Sequence, residues 1–191
     1  MKRLLAGLAL AILAVAPAFA ALKPGAKAPD FTGPAYLAGK PFTFSLSRAL
    51  AKGPVVIFFF PSAYSKGCNL ETKAFSDAAD AFKAEGASLV GVTAGNVEKL
   101  AAFSMETEHC GGKFPVVADT GVRIAKTYDV VLLGINLAGR GLSNRTSYVI
   151  APNGTVIHTY TAMAPNDHVS ESLNAVKTWR ARPALRVRQA E

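Results

Sequence analysis

The stretch "FFFPSAYSKGCNLE", Phe58–Glu71, joins two patterns that together set the fold class. Its left half closes the apolar run Pro54 to Phe60, "PVVIFFF", in which β-branched and aromatic residues follow one another without a polar break. Such a run suits a central strand buried on both faces, the strand type of α/β folds. To the right the spacing changes. Between Asn69 and Gly86, Phe75, Ala78 or Ala79 and Phe82 fall on one helical face, leaving Lys73, Asp77, Asp80 and Lys83 for the other, and Gly86 supplies a stop. Cys68 falls where that helix begins.

Working outward, the remaining segments extend the alternation. "ALKPGAKAPDFTGP" reads as an extended lead-in, and "KPFTFSLSRAL" alternates Phe42, Phe44 and Leu46 as a half-buried strand does. "SLVGVTA" is a strand, and "NVEKLAAFSMETEHC" reads as a helix capped by Asn96 with Leu100 and Phe103 facing inward. "FPVVADT" predicts a strand and "GVRIAKTYDV" a short helix. "SYVIAPNGTVIHTY" predicts a hairpin about the positive-φ pair Asn153 and Gly154, before a last helix with Val169, Leu173 and Val176 on one stripe. This order implies an α/β fold of thioredoxin-like type, a central mixed β-sheet flanked by helices.

The N-terminal "MKRLLAGLALAILAVAPAFA" has Lys2 and Arg3, an apolar run, and the small-residue pattern Ala18, Phe19, Ala20, as a cleavable secretory signal does. The expected division is a signal peptide over residues 1–20 and one domain over 21–191, with a periplasmic or otherwise exported product. An anchor is the competing reading, but Leu4 to Val15 is shorter than the roughly 20 apolar residues of a spanning helix. No stable membrane insertion is expected after cleavage. Of 21 basic and 13 acidic residues, the signal carries two basic ones, so the net charge falls from +8 to +6. The basic residues do not gather before the tail "WRARPALRVRQAE", and an exported chain is an unexpected partner for nucleic acid.

A thiol is a weak nucleophile until it ionises, and free N–H groups in the first turn of a helix favour the thiolate. Cys68 has that position, whereas a buried, inert cysteine would have apolar neighbours rather than Ser65, Lys66, Gly67 and Asn69. His109 beside Cys110 is not metal-ligand spacing, and His158 and His168 belong to other segments, so neither metal nor cofactor is expected.

The run "FFFPSAYSKGC" resembles the peroxiredoxin signature Pro-x-x-x-Thr/Ser-x-x-Cys, with Pro61, Ser65 and Cys68 in register. The likeness continues through "LKPGAKAPDF", "FPVVADTGVRIAKTYDV" and "RTSYVIAPNG", and is nearest to the Q-type, or bacterioferritin comigratory protein, subgroup. The resemblance implies a thiol-dependent peroxidase acting on hydrogen peroxide and organic hydroperoxides. Cys68 would be the peroxidatic thiolate, and Arg145 would favour its charged form and bind the peroxide. Ser65 would offer its hydroxyl, and Pro61 would wall the pocket. An external thiol or thioredoxin-like protein would be the reductant, and the assembly a monomer or homodimer.

The sequence departs from that pattern in places. Ser65 replaces the commoner Thr and lacks its β-branch, and Tyr64 and Lys66 make the loop bulkier and more basic. Lys73 occupies one known resolving position, which leaves Cys110 as the candidate resolving cysteine. A static bridge or a resolver from another molecule are the alternatives. A Cys68 to Cys110 disulfide needs Cα atoms within about 7 Å, hence unwinding of the first turn, eased by Gly67, Gly111 and Gly112. The alternative functions are a redox sensor or a thiol-disulfide oxidoreductase without peroxidase turnover, though no CxxC pair is present. Leu132–Asn144, "LLGINLAGRGLSN", reads as a flap or a self-association patch.

Overall fold

The computed structural model describes residues 21–132 and 141–182, so the expected signal peptide lies outside the described residues. The apolar run becomes strand β3, Val55–Phe59, with every residue buried. Its side chains alternate. Val55, Ile57 and Phe59 enter one core, and Val56, Phe58 and Phe60 the other, so a strand with no polar face supplies both.

Around β3 the chain sets β1, Thr32–Leu37; β2, Lys40–Ser45; β4, Ser88–Thr93; β5, Val116–Ala118; β6, Thr146–Ile150; and β7, Val156–Thr161. The sheet order is β2-β1-β5-β4-β3-β6-β7. β3 runs parallel to β4 and antiparallel to β6, and the sheet is mixed as expected. The helices are α1, Leu46–Leu50; α2, Lys66–Ala84; α3, Leu100–Met105; α4, Arg123–Thr127; and α5, His168–Arg180. Phe75 and Phe82 of α2, Leu100 and Phe103 of α3 and Val176 of α5 fill one core, while Leu46 and Leu50 of α1 and Ile124 and Ala125 of α4 fill the other.

One aromatic stack fixes α2 on the sheet. The rings of Phe58 and Phe75 lie 4.1 Å apart and nearly parallel, and Phe114 meets Phe58 edge-on at 5.3 Å. Gly91 sits opposite Phe58 in the β3/β4 register, where an added Cβ would come within 3.1 Å of the Phe58 and Phe60 rings. The absent side chain is what lets those rings lie across the sheet.

Four local readings change. Leu46 starts α1 instead of continuing a strand, because the Ser45 hydroxyl accepts the Arg48 N–H and caps a helix there. The end of the supposed lead-in, Thr32 to Pro34, opens β1, which pairs with β2, and its ladder with β5 is confined to Ala35 and Tyr36, so Pro34 removes no bond on that side. Asn96 takes the N-cap position of a 3₁₀ turn, Val97–Lys99, but not by its side chain: with φ at 55° it donates from Nδ2 to the Ala63 carbonyl, and α3 ends at Met105. In the β6 to β7 turn only Gly154 takes positive φ, 81°, while the Gly154 N–H bonds the Ala151 carbonyl. That is a three-residue loop with Pro152 at a position that suits its fixed φ.

The segment Leu132–Asn144 lies mostly outside the described residues, but its ends pair: Leu132 N–H donates to Leu142 O at 2.8 Å and Asn144 N–H to Val130 O at 2.7 Å. Among the described residues no helix is long and apolar enough to cross a membrane. Replacing Phe58 with Ala removes the ring on which α2 rests. It is expected to cost about 3–5 kcal/mol, read as a fall in the urea midpoint at constant m-value.

Candidate active site

β3 ends at Phe59, and the loop beyond it is fastened to the end of β4. Thr93 Oγ1 donates to the Pro61 carbonyl at 3.1 Å, the Ala63 N–H reaches Gly95 O, and Asn96 Nδ2 holds Ala63 O at 2.8 Å. Gly95 has no space for a Cβ, which would lie 2.5 Å from Ser62. The loop therefore delivers the chain to the start of α2 at a fixed angle.

α2 begins at Lys66, earlier than the apolar spacing alone indicated, with Ser65 as the N-cap. The first bond of the helix runs from Asn69 N–H to Ser65 O, so the amides of Lys66, Gly67 and Cys68 precede the ladder. Cys68 is thus in the first turn, and the residue is 1% exposed. The Ser65 hydroxyl donates to the Ser62 carbonyl at 3.0 Å rather than serving as a side-chain cap. Pro61 stands half-buried at the mouth of the loop.

Arg145, immediately before β6, is 3% exposed and reaches across to α2. Its Nη2 lies 3.6 Å from the Cys68 sulfur, and its Nε donates to the Met163 carbonyl at 3.0 Å. Nη1 is in direct contact with Glu71 Oε2, one helical turn beyond Cys68. Gly67 makes room: a Cβ there would be 3.1 Å from Nη2.

Glu71 is fully buried, and desolvation pushes its carboxyl up to about 8 while Arg145 pulls the other way. Its second oxygen, Oε1, has no hydrogen-bond partner and faces His168 Nδ1 at 3.6 Å. His168, at the start of α5, is held between the Ser147 hydroxyl at 2.8 Å and the Ala162 carbonyl at 2.9 Å. Burial pushes the imidazole down, toward its neutral form. Glu71 is not a candidate in the sequence, and His168 is weighed there only as a metal ligand; burial of these residues gives no signal in the sequence.

Cys110 is fully buried in the turns after α3, and burial with the nearby Glu106 pushes its thiol up. Its carbonyl accepts a bond from Ser76 Oγ at 3.0 Å. Ser76 is eight residues past Cys68, about 12 Å along the helix axis. Both cysteines are free thiols. The structure gathers Cys68, Arg145 and Glu71 at one point and holds Cys110 further along the same helix.

The profile of the AhpC/TSA family matches residues 24–159. The chain is 31% identical over 161 residues to the chloroplastic peroxiredoxin Q of Sedum lineare, covering 84% of this chain and 81% of that one. Peroxidoxin BcpB from Mycobacterium tuberculosis superposes with a TM-score of 0.72 at 28% identity, over 82% of this chain and 97% of its own. Peroxiredoxin Q of Xanthomonas campestris gives 0.63 at 26% identity, over 76% of this chain and 89% of its own. With a reactive-looking thiol at a helix start, a buried arginine against its sulfur and these relatives, the chain belongs to the AhpC/TSA family as a Q-type peroxiredoxin, a thiol-dependent peroxidase.

Proposed function

We propose that Cys68 is the peroxidatic cysteine and that Cys110 resolves it within the same chain. The observation that carries the first assignment is the approach of Arg145 Nη2 to the Cys68 sulfur, 3.6 Å, at the unladdered end of α2. In the first step the Cys68 thiolate attacks one oxygen of the peroxide. An S–O bond forms, the O–O bond breaks, and the departing oxygen takes a proton to leave as water or an alcohol. Charge passes from sulfur to the leaving oxygen, and a guanidinium with several donors can follow it without moving far. Pro61 limits water on the loop side, and the Ser65 hydroxyl would have to leave the Ser62 carbonyl to meet the bound peroxide.

Glu71 sets how much of the Arg145 charge the sulfur receives. A neutral carboxyl leaves the guanidinium uncancelled, whereas an ionised one shares it. In the second step the Cys110 sulfur attacks Cys68, the S–S bond forms, and the sulfenic oxygen leaves as water. An external dithiol of thioredoxin type then reduces the disulfide. The N-terminal pattern of basic, apolar and small residues supports work in the periplasm, where that reductant would also have to be exported.

Replacing Cys68 with Ser should abolish peroxide consumption. In the parent protein, one equivalent of peroxide should remove two protons and link Cys68 to Cys110 in non-reducing peptide mass analysis. Turnover in the Cys68→Ser protein would overturn the assignment. Gly67→Ala should shift the guanidinium by a few tenths of an ångström at the sulfur and slow the peroxide reaction by up to about tenfold in stopped flow, with the disulfide still forming. Because the folded pKa of Glu71 is raised to about 8 from 4.5, its contribution to stability is complete below about pH 4.5 and is lost as pH rises through 8. Glu71→Gln should therefore flatten the fall in the urea midpoint across that window.

A further inference from the structure

Glu106 ties together the two loops that must move before the cysteines can meet. Its backbone carbonyl accepts the N–H groups of His109, at 3.0 Å, and Gly111, at 2.9 Å, the residues on either side of Cys110. Its side chain spans outward: Oε1 accepts the Tyr64 hydroxyl at 3.0 Å, and Oε2 lies 3.3 Å from His109 Nε2. The His109 ring stacks on Phe103 at 4.5 Å and meets Tyr64 edge-on at 5.2 Å, while its buried Nδ1 has no hydrogen-bond partner. The Cys110 thiol is near enough to Tyr64 to raise the phenol, which burial and Glu106 push up to about 12.

Tyr64 immediately precedes the N-cap of α2, and its φ is 64°, a left-handed conformation that a bulky residue adopts only when its surroundings hold it there. The surroundings that hold it are Glu106, His109 and Phe103, all on the Cys110 side. If the phenol lets go, Tyr64 can return to negative φ, which swings the chain at Ser65 and loosens the turn that carries Cys68. The same release leaves the Glu106 carboxylate with one fewer anchor over the Cys110 turn. One contact thus restrains both sulfurs.

We propose that Tyr64 and Glu106 form a latch that gates disulfide formation between Cys68 and Cys110, with both acting as positioning residues through the two loops they join. The proposal rests on the reading that Cys110 resolves Cys68. It makes the latch a brake on the second step and leaves the first untouched, so that the lifetime of the Cys68 sulfenic acid depends on how readily the phenol leaves the carboxylate. A longer-lived sulfenic acid is more open to a second peroxide, which adds an oxygen to give the sulfinic acid.

The test uses the full reduced chain with Tyr64→Phe, which keeps the ring, and Glu106→Leu, which keeps much of the bulk and removes the acceptor. Three rates are read: sulfenic acid trapping by dimedone, appearance of the Cys68 to Cys110 disulfide by quenched non-reducing mass analysis, and sulfinic acid formation under excess peroxide. Both variants should form the disulfide about tenfold faster, the change expected from losing one such bond, so that less sulfenic acid is trapped and less sulfinic acid forms. Disulfide formation at the parental rate or slower in both variants would overturn the latch. If the parent chain only gains oxygen at Cys68 and never links to Cys110, the resolving assignment fails and the latch falls with it. A parent that links normally beside unresponsive variants fails the latch alone.

Discussion

Arg145 brings a permanent positive charge into a setting only 3% exposed, and the surrounding structure is arranged to meet it. A guanidinium does not escape burial by losing its proton, so its donors must find partners. They find Glu71 on α2, the Met163 carbonyl beyond β7 and the Cys68 sulfur. Removing Glu71 would leave a buried guanidinium donor without its partner, at a cost of about 1–3 kcal/mol. The start of α2, the start of β6 and the chain leading to α5 are therefore held at mutual positions that also serve the thiol.

The same arrangement links stability to chemistry. Desolvation raises Glu71 to about 8, which favours a neutral carboxyl in the folded protein and leaves Arg145 as a net cation beside sulfur. A fully ionised Glu71 would make a stronger pair and a weaker electrostatic partner for the thiolate. His168 meets Ser147 and Ala162 instead of closing on the unpartnered Glu71 Oε1, so the network stops short of full satisfaction at the carboxyl next to the reactive centre. Incomplete pairing of this sort is common where a fold stores a property that function needs.

The architecture was legible wherever periodicity carried the signal. The unbroken apolar run Pro54 to Phe60 suited a strand buried on both sides, which became β3, and the spacing of Phe75 and Phe82 marked the inward face of α2. The helix start marked Cys68, and Pro61, Ser65 and Arg145 entered through resemblance. Glu71 and His168 stayed hidden because burial of a polar residue leaves no mark on the sequence: Glu71 stands between Leu70, 58% exposed, and the buried Thr72. Asn96 was misread for a related reason. Asparagine suits both an N-cap and the left-handed region, and only the Ala63 carbonyl within reach of its side chain decides between them.

Both steps of the proposed cycle draw on the first turn of α2, and they ask opposite things of it. Attack on peroxide needs the turn formed, since its free amides and the fixed Arg145 organise charge around the sulfur. Disulfide formation needs it opened, since Cys110 is anchored beside Ser76, about 12 Å further along the helix. A turn that is too stable would hold the sulfenic acid away from Cys110, and one too loose would disperse the groups that activate the thiol. The local stability of residues 64–68 therefore sets the balance between the two steps. That stability is decided less by the helix, which here lacks a side-chain cap at Ser65, than by the contacts Tyr64 makes with the loop that carries the second cysteine.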